Sequence, residues 1–384
     1  MLNRIGDKMM KRSQLFLGLL AILFPSCGSP IGSGVSYDLK GGDSFPAQLV
    51  RGVTFIQLDP AKPISTVSKV EYVEGKYYIL TTEGLYRYSN EGLYEGQISR
   101  MGRSEQEWLH LDTFYYSERS HDLCLVDCAS SKILHYSLAG TFLSSTRVKS
   151  LNKYHVSQAE ETAAGVLLAC SIYNDSGIIY ALLDEDDRAV RDLKYVPFKT
   201  DNVIQRIGIH PISCTLSGVK CIVPVSNTLL VLNRGNLVSG PTVPVLNPLP
   251  KKRFLEAHTE SYSPYVLAAE CLKNDLFCGY DGVFETDDYL LLSSFNQYYT
   301  FIDKHSRQGW VLNRIDLVGK TGTVWDNIVA SSGNMLISTM NGIQVKRYLS
   351  DTELLDSLSA ENRDYLSAHG DDFGAVYLIV TTIQ

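Results

Sequence analysis

A ten-residue pattern that occurs twice, at an offset of 48 residues (from Leu85 to Ile133), limits the possible folds of this chain more than any other feature. Residues 85–94 and 133–142 both place a tyrosine after apolar residues, then a glycine turn, then an aromatic residue that starts a new strand. A period in the forties made of short strands is typical of propeller blades. The repeat therefore predicts an all-β propeller and says little about chemistry.

The length and composition of the chain fit one propeller. A chain of 384 residues would ordinarily suggest two or three domains. A propeller of repeated blades, however, can form a single domain of this length. The 29 glycines and 23 tyrosines suit a turn-rich antiparallel sheet. The predicted blades are residues 65–99, 108–146, 154–198, 203–245, 254–317 and a sixth that starts at Trp325.

The first 26 residues are typical of an export signal. Four basic residues precede the apolar run Leu15 to Phe24, which is too short to span a bilayer; they are Arg4, Lys8, Lys11 and Arg12. Cys27 follows like the acylated cysteine of a bacterial lipobox, although Phe24 and Pro25 depart from the usual residues there. We therefore expect a lipoprotein signal peptide at 1–26, lipidation of Cys27, a flexible tether at 27–45 and the propeller at 46–384. Ordinary secretion with a free cysteine is the alternative.

The charge of the chain argues against nucleic acid as a partner. Removal of residues 1–26 takes away four basic residues and one acidic residue, so the net charge changes from −7 to −10. Binding to nucleic acid requires clustered lysine and arginine to neutralise phosphates, and the mature chain has no such cluster. We expect membrane attachment to come from the acyl chains on Cys27, with the protein facing the periplasm or the outer membrane surface.

The cysteines do not form a complete disulfide framework. Seven remain after Cys27, which is an odd number, and no Cys/His spacing resembles a zinc site. Cys214 and Cys221 flank a predicted hairpin turn at Ser217-Gly218, so the sequence leaves open whether they form a bridge across two strands. We expect the other cysteines to act as small buried apolar residues.

The end of the chain predicts how the ring closes. Ser350 to Glu353 has the pattern of a capping box, and apolar residues then follow at helical spacing. A strand returns at 374–380. Since an open blade exposes sheet edges, we expect Val376–Thr382 to pair with Val53–Leu58 in the final blade. The predicted fold is a six-bladed β-propeller with a short C-terminal helix inserted in the closing blade, and seven blades is the alternative count.

The order of these features resembles the six-bladed β-propeller lipoproteins of Bacteroides-like bacteria, which are distantly similar to NHL repeats. Besides Cys27 and the terminal helix and strand, the resemblance depends on three segments, Gly52–Leu58, Met101–Trp108 and Phe284–Lys304. Met101–Trp108 is similar to a divergent Gly-Arg-Gly-x-x-Glu-Tyr turn, in which Ser104 replaces the later glycine. The likeness covers about residues 50–384. It implies a propeller in the cell envelope and, because most members have no assigned activity, it implies no chemistry.

Two interblade loops supply candidate binding residues. Such loops gather around one mouth of the central channel, where a tryptophan beside charged groups could hold a sugar or peptide by stacking and hydrogen bonds. The candidates are Arg103, Glu105, Glu107, Trp108 and His110 in one loop, and Trp325, Asp326 and Asn327 in the other. The alternative is that both tryptophans pack between blades and that Arg103 ties its loop to a carbonyl.

Metal-dependent catalysis is the second hypothesis. Propeller lactonases and lyases need carboxylates, Asn or His that converge on the channel, and the available residues here are Asp112, His121, His155, His210, Asp326 and His369. The acidic run Asp184–Asp187 is not an EF-hand, because Ala189 and Tyr195 stand where glycine and glutamate are required. The chain also lacks a Gly-x-Ser-x-Gly elbow, a Walker loop and a His-Glu-x-x-His motif.

These observations favour a non-catalytic binding propeller, anchored to the bacterial envelope, with a peptide, a glycan or an envelope protein as its partner. A metal-dependent lactonase or lyase is the alternative, and a structural subunit of an envelope complex is a third hypothesis. The sequence predicts no cofactor, with calcium as the one open case.

Overall fold

Six β-sheets follow one another along the part of the chain that the structure describes. The computed structural model describes residues 37–41, 44–64, 66–172, 178–184, 188–196, 210–223, 226–245, 273–274, 276–277, 279–294, 298–313, 327–370 and 372–384. These residues all belong to one compact unit, 35–384. Five sheets have four strands and one has five.

The first three blades each contain four strands in chain order, numbered here after two strands near the N-terminus. Blade 1 contains β3 (Lys69–Val73), β4 (Lys76–Thr81), β5 (Gly84–Ser89) and β6 (Tyr94–Ser99). Blade 2 contains β7 (Thr113–Ser117), β8 (Asp122–Asp127), β9 (Lys132–Ser137) and β10 (Phe142–Arg147). Blade 3 contains β11 (Tyr154–Thr162), β12 (Gly165–Ile172), β13 (Ile178–Asp184) and β14 (Ala189–Val196).

The last three blades include the two strands from the N-terminus. Blade 4 contains β15 (Ile212–Thr215), β16 (Gly218–Cys221), β17 (Thr228–Asn233) and β18 (Asn236–Thr242). Blade 5 contains β19 (Tyr280–Glu285), β20 (Tyr289–Ser294), β21 (Tyr298–Asp303) and β22 (Gln308–Asn313), with β1 (Asp38–Gly41) at its outer edge. Blade 6 contains β23 (Ile328–Ser332), β24 (Met335–Asn341), β25 (Val376–Ile383) and β2 (Val50–Gln57).

The blades form a ring because each packs on two neighbours. The first strands of consecutive blades contact one another in turn, and β23 of blade 6 contacts β3 of blade 1. Apolar clusters fill the spaces between blades, so a central strand is buried on both faces. All six residues of β8, for example, are buried. The six-bladed propeller predicted from the repeat is therefore confirmed.

The two ends of the chain meet in blade 6. Strand β2 pairs antiparallel with β25, from Val50 opposite Ile383 to Gln57 opposite Tyr377. On one face, Val376, Leu378 and Val380 pack against apolar residues of blade 1. The predicted pairing of 53–58 with 376–382 is confirmed, with Val53 opposite Thr381 and Gln57 opposite Tyr377.

Three helices lie between β24 and β25 and cover the other face of the closing strands. They are α1 (Gly342–Ser350), α2 (Thr352–Ser357) and α3 (Ala360–His369). Their apolar residues pack on Phe55, Tyr377 and Ile379. Asn362 Nδ2 donates to the Val53 carbonyl at 2.8 Å, which ties α3 to the terminal strand.

The helical segment begins earlier than the sequence predicted. The capping box lies at Asn341, whose side chain accepts from the Gln344 N–H at 2.9 Å while the Gln344 side chain accepts from the Asn341 N–H at 2.8 Å. Ser350, the predicted cap, is the last residue of α1 and donates to the Arg347 carbonyl. The prediction covered the region of α2 and α3 as one helix and missed α1, because Asn341-Gly342 has the composition of a turn.

The outer edge of blade 5 contains a strand that was expected to be tether. Asp38–Gly41 pairs parallel with β22, from Asp38 opposite Gln308. Phe45 is buried edge-on against Phe301 and Trp310, at 5.4 and 5.9 Å between ring centroids. These residues differ from the expected flexible tether at 27–45, because pairing covers an otherwise open sheet edge and burial removes a phenylalanine from water.

Cys214 and Cys221 are both free thiols. In the β15–β16 hairpin, Cys214 lies opposite Val219 and Cys221 opposite Ile212, so the two cysteines are diagonal rather than paired. Diagonal positions are about 7–8 Å apart, beyond the reach of a disulfide. The hairpin between β13 and β14 places Asp184 opposite Ala189, as expected for a turn, and residues 185–187 lie outside the described part of the chain.

A buried lysine joins the inner strands of three blades. The Lys69 ammonium donates to the carbonyl oxygens of Phe114 (2.9 Å) and Ala159 (3.1 Å) and contacts the carboxylates of Glu71 (2.9 Å) and Glu160 (2.8 Å). Burial alone would lower the pKa of Lys69, but Glu160 and Glu71 outweigh burial and raise it, so the amine stays charged. Burial raises the pKa of Glu71 in spite of its contact with Lys69.

We expect Lys69→Met to lower the free energy of unfolding by about 3–5 kcal/mol, because it leaves buried carboxylates without a counter-charge. Urea denaturation at neutral pH measures the change. The control Lys153→Met removes an exposed lysine and should stay within about 0.5 kcal/mol of wild type. The double variant Lys69→Met/Glu160→Gln should recover part of the loss, and a double variant as unstable as the single one would contradict the charge argument.

Candidate functional site

The loop of residues 100–112 connects the outer strand of blade 1 to the inner strand of blade 2. It closes on itself through two backbone hydrogen bonds, from Gly102 N–H to the Trp108 carbonyl (2.9 Å) and from Trp108 N–H to the Arg100 carbonyl (3.3 Å). Asp127 Oδ2, at the end of β8, accepts from the Leu109 N–H at 2.7 Å. The loop is therefore fixed at both of its ends.

Glu107 lies inside this loop. Its carboxylate accepts from the Ser104 N–H and from Arg100 Nε, both at 3.0 Å, and the bonds from Ser104 and then from Arg100 lower the pKa of Glu107. A Cβ on Gly102 would collide with the Glu107 carboxylate, so a larger residue at that position would have to displace this side chain. Glu107 was predicted to contact a ligand, and the structure gives its carboxylate an internal partner at each oxygen.

Two side chains of blade 2 hold the outer rim of the loop. The Lys132 ammonium donates to the carbonyl oxygens of Ser104 (3.5 Å), Glu105 (3.4 Å) and Glu107. The Tyr136 hydroxyl donates to the Gln106 carbonyl. The backbone of the loop is thus preorganised by the neighbouring sheet, and its outward side chains project from a fixed frame.

Trp108 points inwards from the loop. It is 3% exposed and packs with Leu85 and Ile98 of blade 1 and Phe114 and Leu125 of blade 2. Its position matches the packing alternative considered from the sequence. No face of the Trp108 ring is exposed for the predicted stacking on a ligand.

The outer surface of the loop carries apolar and charged side chains. Met101 is 65% exposed and Leu109 is 44% exposed. Arg103 is exposed, and the side chain of Arg100 is exposed although it contacts Glu107. Glu105 is exposed as well, and its carboxylate accepts from Ser145 Oγ at 3.2 Å. A partner would therefore meet Met101, Leu109, the two arginines and Glu105.

Asp112 brings two of the predicted histidines together beside this loop. Its carboxylate is buried and accepts from His155 Nδ1 at 3.0 Å and from the Cys128 N–H at 3.0 Å, while His110 Nδ1 lies 3.3 Å away. Both histidine rings are more than half exposed, and their centroids are 6.2 Å apart. Asp112 and His155, two of the residues available to the catalytic hypothesis, thus lie together with His110 of the candidate binding loop.

The contact between Asp112 and His155 shifts the pKa of both side chains. Burial alone would raise the pKa of Asp112, but the hydrogen bonds from His155 and Cys128 outweigh it and lower the pKa. The hydrogen bond to Asp112 raises the pKa of His155 against the opposing effect of burial. The site therefore pairs the Asp112 carboxylate with an imidazole whose protonated form it favours.

The other predicted histidines lie apart from this group. His121 is at the turn between β7 and β8, where Nδ1 contacts the Tyr116 hydroxyl at 2.9 Å. His210 is buried beside Gln158, and burial lowers its pKa to about 4. His369 Nδ1 bonds the Tyr365 carbonyl in α3 at 2.8 Å. These three do not converge on a common centre.

The other predicted loop, before blade 6, is only partly described. Asn327 Nδ2 donates to Thr339 Oγ1 at 3.1 Å, a bond within blade 6. The predicted binding residues Trp325 and Asp326 and the predicted lipidation site Cys27 lie outside the described residues.

Sequence reasoning did not find a cleft between blades 2 and 3. It has a volume of about 380 Å³, and the polar residues that line it include Arg119, Asp122, Cys124, His135, Glu161 and Arg188. Asp122-x-Cys124 was the available signal, because alternate residues of a strand share a face. His135 joins them only because β9 pairs with β8. The sequence did not specify which residues of these two strands lie opposite each other.

The fold and the site define a six-bladed β-propeller whose loop 100–112 is held in place by backbone and side-chain hydrogen bonds. A family model described as DUF5128, six-bladed β-propeller, matches residues 43–322. Because the match spans more than half of the chain, the protein belongs to this family. A search of curated proteins finds no match.

Two solved structures from Bacteroides are similar in fold. One is a putative exported protein from Bacteroides fragilis, with a TM-score of 0.70, 15% identity and coverage of 90% of this chain and 99% of its own. The other is a member of the DUF4221 family from Bacteroides vulgatus, with a TM-score of 0.51, 9% identity and coverage of 87% and 97%. At these identities the likeness concerns the fold alone.

The contact between Asp112 and His155 should make the stability of the fold depend on pH. Because the folded-state pKa of His155 is raised above about 6.5, the pair stabilises the fold fully below that pH and loses its contribution as pH rises through the folded pKa. In Asp112→Asn, NMR titration should show a lower pKa for His155. Asp288→Asn, a change at an exposed carboxylate that contacts His305, should leave the titration of His155 unaltered. Equal His155 titrations in wild type and Asp112→Asn would show that the hydrogen bond has no such role.

Proposed function

We propose that this protein is an exported, lipid-anchored binding propeller that captures a peptide segment of an envelope protein on the surface of loop 100–112. One observation carries the proposal. The loop exposes Met101 and Leu109 while Lys132 and Tyr136 fix its backbone.

A fixed loop favours binding because little conformational freedom remains to be lost when a partner arrives. Ordering a flexible loop costs roughly 0.5–1.5 kcal/mol for each immobilised side chain, and preorganisation avoids part of that cost. Here the frame is held by carbonyl groups that bond to Lys132 and by the internal carboxylate of Glu107. Exposed apolar side chains on a rigid frame are a typical anchor for a protein partner.

The chemistry of the loop favours a peptide that combines an apolar side chain with acidic groups. Arg100, Arg103 and His110 are exposed on the same loop and outnumber its one exposed carboxylate, Glu105, although the chain as a whole carries a net charge of −7. A glycan would gain from an exposed aromatic ring, and Trp108 is buried. The loop therefore supports a peptide partner better than a glycan.

The cellular location in this proposal comes from the N-terminal pattern. A basic segment, a short apolar run and Cys27 support export followed by lipidation. Among the described residues, no helix is both long and apolar enough to cross a membrane.

The binding proposal is tested with a library of displayed random peptides panned against the purified full chain. We expect enriched peptides to carry an apolar residue beside Asp or Glu. Their affinity should fall by about 10-fold or more in Met101→Ser/Leu109→Ser, since each lost apolar contact weakens binding by about 1 kcal/mol or more.

The matched control is Leu93→Ser/Leu143→Ser, which removes two leucines that are 60% and 54% exposed outside the loop. This variant should bind the peptides as wild type does. Equal loss of affinity in both double variants would contradict the assignment to loop 100–112. Enrichment on a glycan array, with no enriched peptides, would replace the peptide by a glycan.

The anchor is tested separately by Cys27→Ala in bacterial cells. We expect wild type to incorporate labelled palmitate and to sediment with membranes, whereas Cys27→Ala should lose the label and the attachment. Release of both proteins into the soluble fraction, without label, would favour secretion with a free cysteine.

The metal-dependent enzyme stays the second candidate because of one cluster, in the cleft between blades 2 and 3. Asp122, Cys124 and His135 there offer three ligand atoms that lie within 4.8 Å of one another.

A further inference from the structure

Three residues of blade 2 place metal-binding side chains on one face of the sheet. Asp122 and Cys124 are alternate residues of β8, and His135 of β9 lies directly opposite Cys124. All three line the cleft of about 380 Å³ towards blade 3. Regular strands hold them, so their positions do not depend on a loop.

The distances among these side chains are close to those between ligands of one zinc ion. Cys124 Sγ lies 3.5 Å from His135 Nδ1 and 3.5 Å from Asp122 Oδ1, and His135 Nδ1 lies 2.9 Å from Asp122 Oδ2. Around zinc, with bonds of about 2.0–2.1 Å to nitrogen and oxygen and about 2.3 Å to sulfur, tetrahedral edges are roughly 3.3–3.6 Å. The Cys124–His135 distance therefore fits such an edge. Asp122 contacts its two partners through different oxygens, so a rotation of its carboxylate would turn a single oxygen towards the ion.

We propose that Asp122, Cys124 and His135 bind a transition-metal ion, with zinc as the first candidate, in the cleft between blades 2 and 3. Carboxylate, thiolate and imidazole together are the donors that zinc uses in proteins. Calcium and magnesium take oxygen ligands, so a thiolate and an imidazole disfavour them here.

Neighbouring residues hold the ligands in the orientation that a metal requires. The other ring nitrogen of His135, Nε2, lies 3.4 Å from Thr146 Oγ1, so Nδ1 can face the ion while Nε2 is engaged elsewhere. The Ser120 hydroxyl donates to Asp122 Oδ1. Such outer contacts set the tautomer of a histidine ligand and the angle of a carboxylate ligand.

The fourth coordination position would face the cleft. Glu161, across the cleft on blade 3, accepts from Ser117 Oγ at 2.9 Å and from the Arg119 N–H at 3.3 Å, so its carboxylate is already engaged. Three protein ligands with an open position are the arrangement of zinc sites that hold water or an exchangeable anion. Arg119 and Arg188 line the same cleft together with the carboxylates of Glu161 and Asp184, and Arg119 lies 3.7 Å from Glu161.

Metal binding at this site would release a proton. Zinc coordinates cysteine as the thiolate, so the Cys124 thiol must give up its proton when the ion binds.

The test is a titration of the purified, reduced and chelator-treated full chain with Co²⁺, a coloured substitute for Zn²⁺, followed by displacement with Zn²⁺. We expect one equivalent of Co²⁺ to produce thiolate-to-metal charge transfer and the visible bands of tetrahedral cobalt, and Zn²⁺ to abolish both. Ca²⁺ should change nothing.

Variants locate the ion. Cys124→Ser should lose the charge-transfer band and His135→Gln should weaken zinc affinity by more than 100-fold, while Thr146→Val should weaken it by about 10-fold. The matched controls Cys214→Ser and His121→Gln remove an exposed thiol and a nearby imidazole, and both should bind as wild type does. Circular dichroism of the metal-free variants establishes that they are folded.

Two results would overturn the proposal. One is the absence of a cobalt–thiolate band in wild type at pH 8. The other is a band that persists in Cys124→Ser or disappears in Cys214→Ser, since the ion would then bind elsewhere. Because peptide binding on loop 100–112 is measured without metal, either hypothesis can fail while the other stands.

Discussion

The pairing of β2 with β25 holds the propeller closed, and both candidate sites rely on that closure. A ring of blades is stable only if its first and last blades are neighbours, and here the outermost strand of blade 6 comes from the beginning of the chain. Without that strand, β25 would expose a sheet edge and α3 would lose its bond to Val53. The helices add a second layer, because they bury Phe55 and Tyr377 on the face of the closing strands that points away from blade 1.

Closure of the ring gives blade 2 a fixed position between its neighbours, and both candidate sites include residues of that blade. At one end of β8, Asp127 holds Leu109 and thereby loop 100–112. At the other end, Asp122 lines the cleft that faces blade 3. A binding surface and a metal site can thus share one sheet without sharing a residue. Lys69 reinforces this arrangement, since its bonds to Phe114 and Ala159 join the inner strands of blades 1, 2 and 3.

Local sequence patterns predicted the strands well and the sites less well. The four strands of blade 1 all lie within the predicted range 65–99, because apolar periodicity and glycine turns are local signals. Trp108 was expected at a ligand surface, but its neighbours in space are apolar residues from both adjoining blades. Asp38–Gly41 has the composition of a linker, and it forms a strand only because β22 offers an unpaired edge.

The order of residues along the chain was enough to predict the repeated sheet module, the number of modules and the meeting of the two termini, because hydrophobic alternation and turn residues act over a few neighbouring positions. Which polar residues come together became clear only in three dimensions. Asp112 and His155 belong to different blades, and His135 reaches Cys124 through strand register, so neither contact is encoded in the spacing along the chain. Such contacts arise when blades pack, since burial and register bring distant residues to one place.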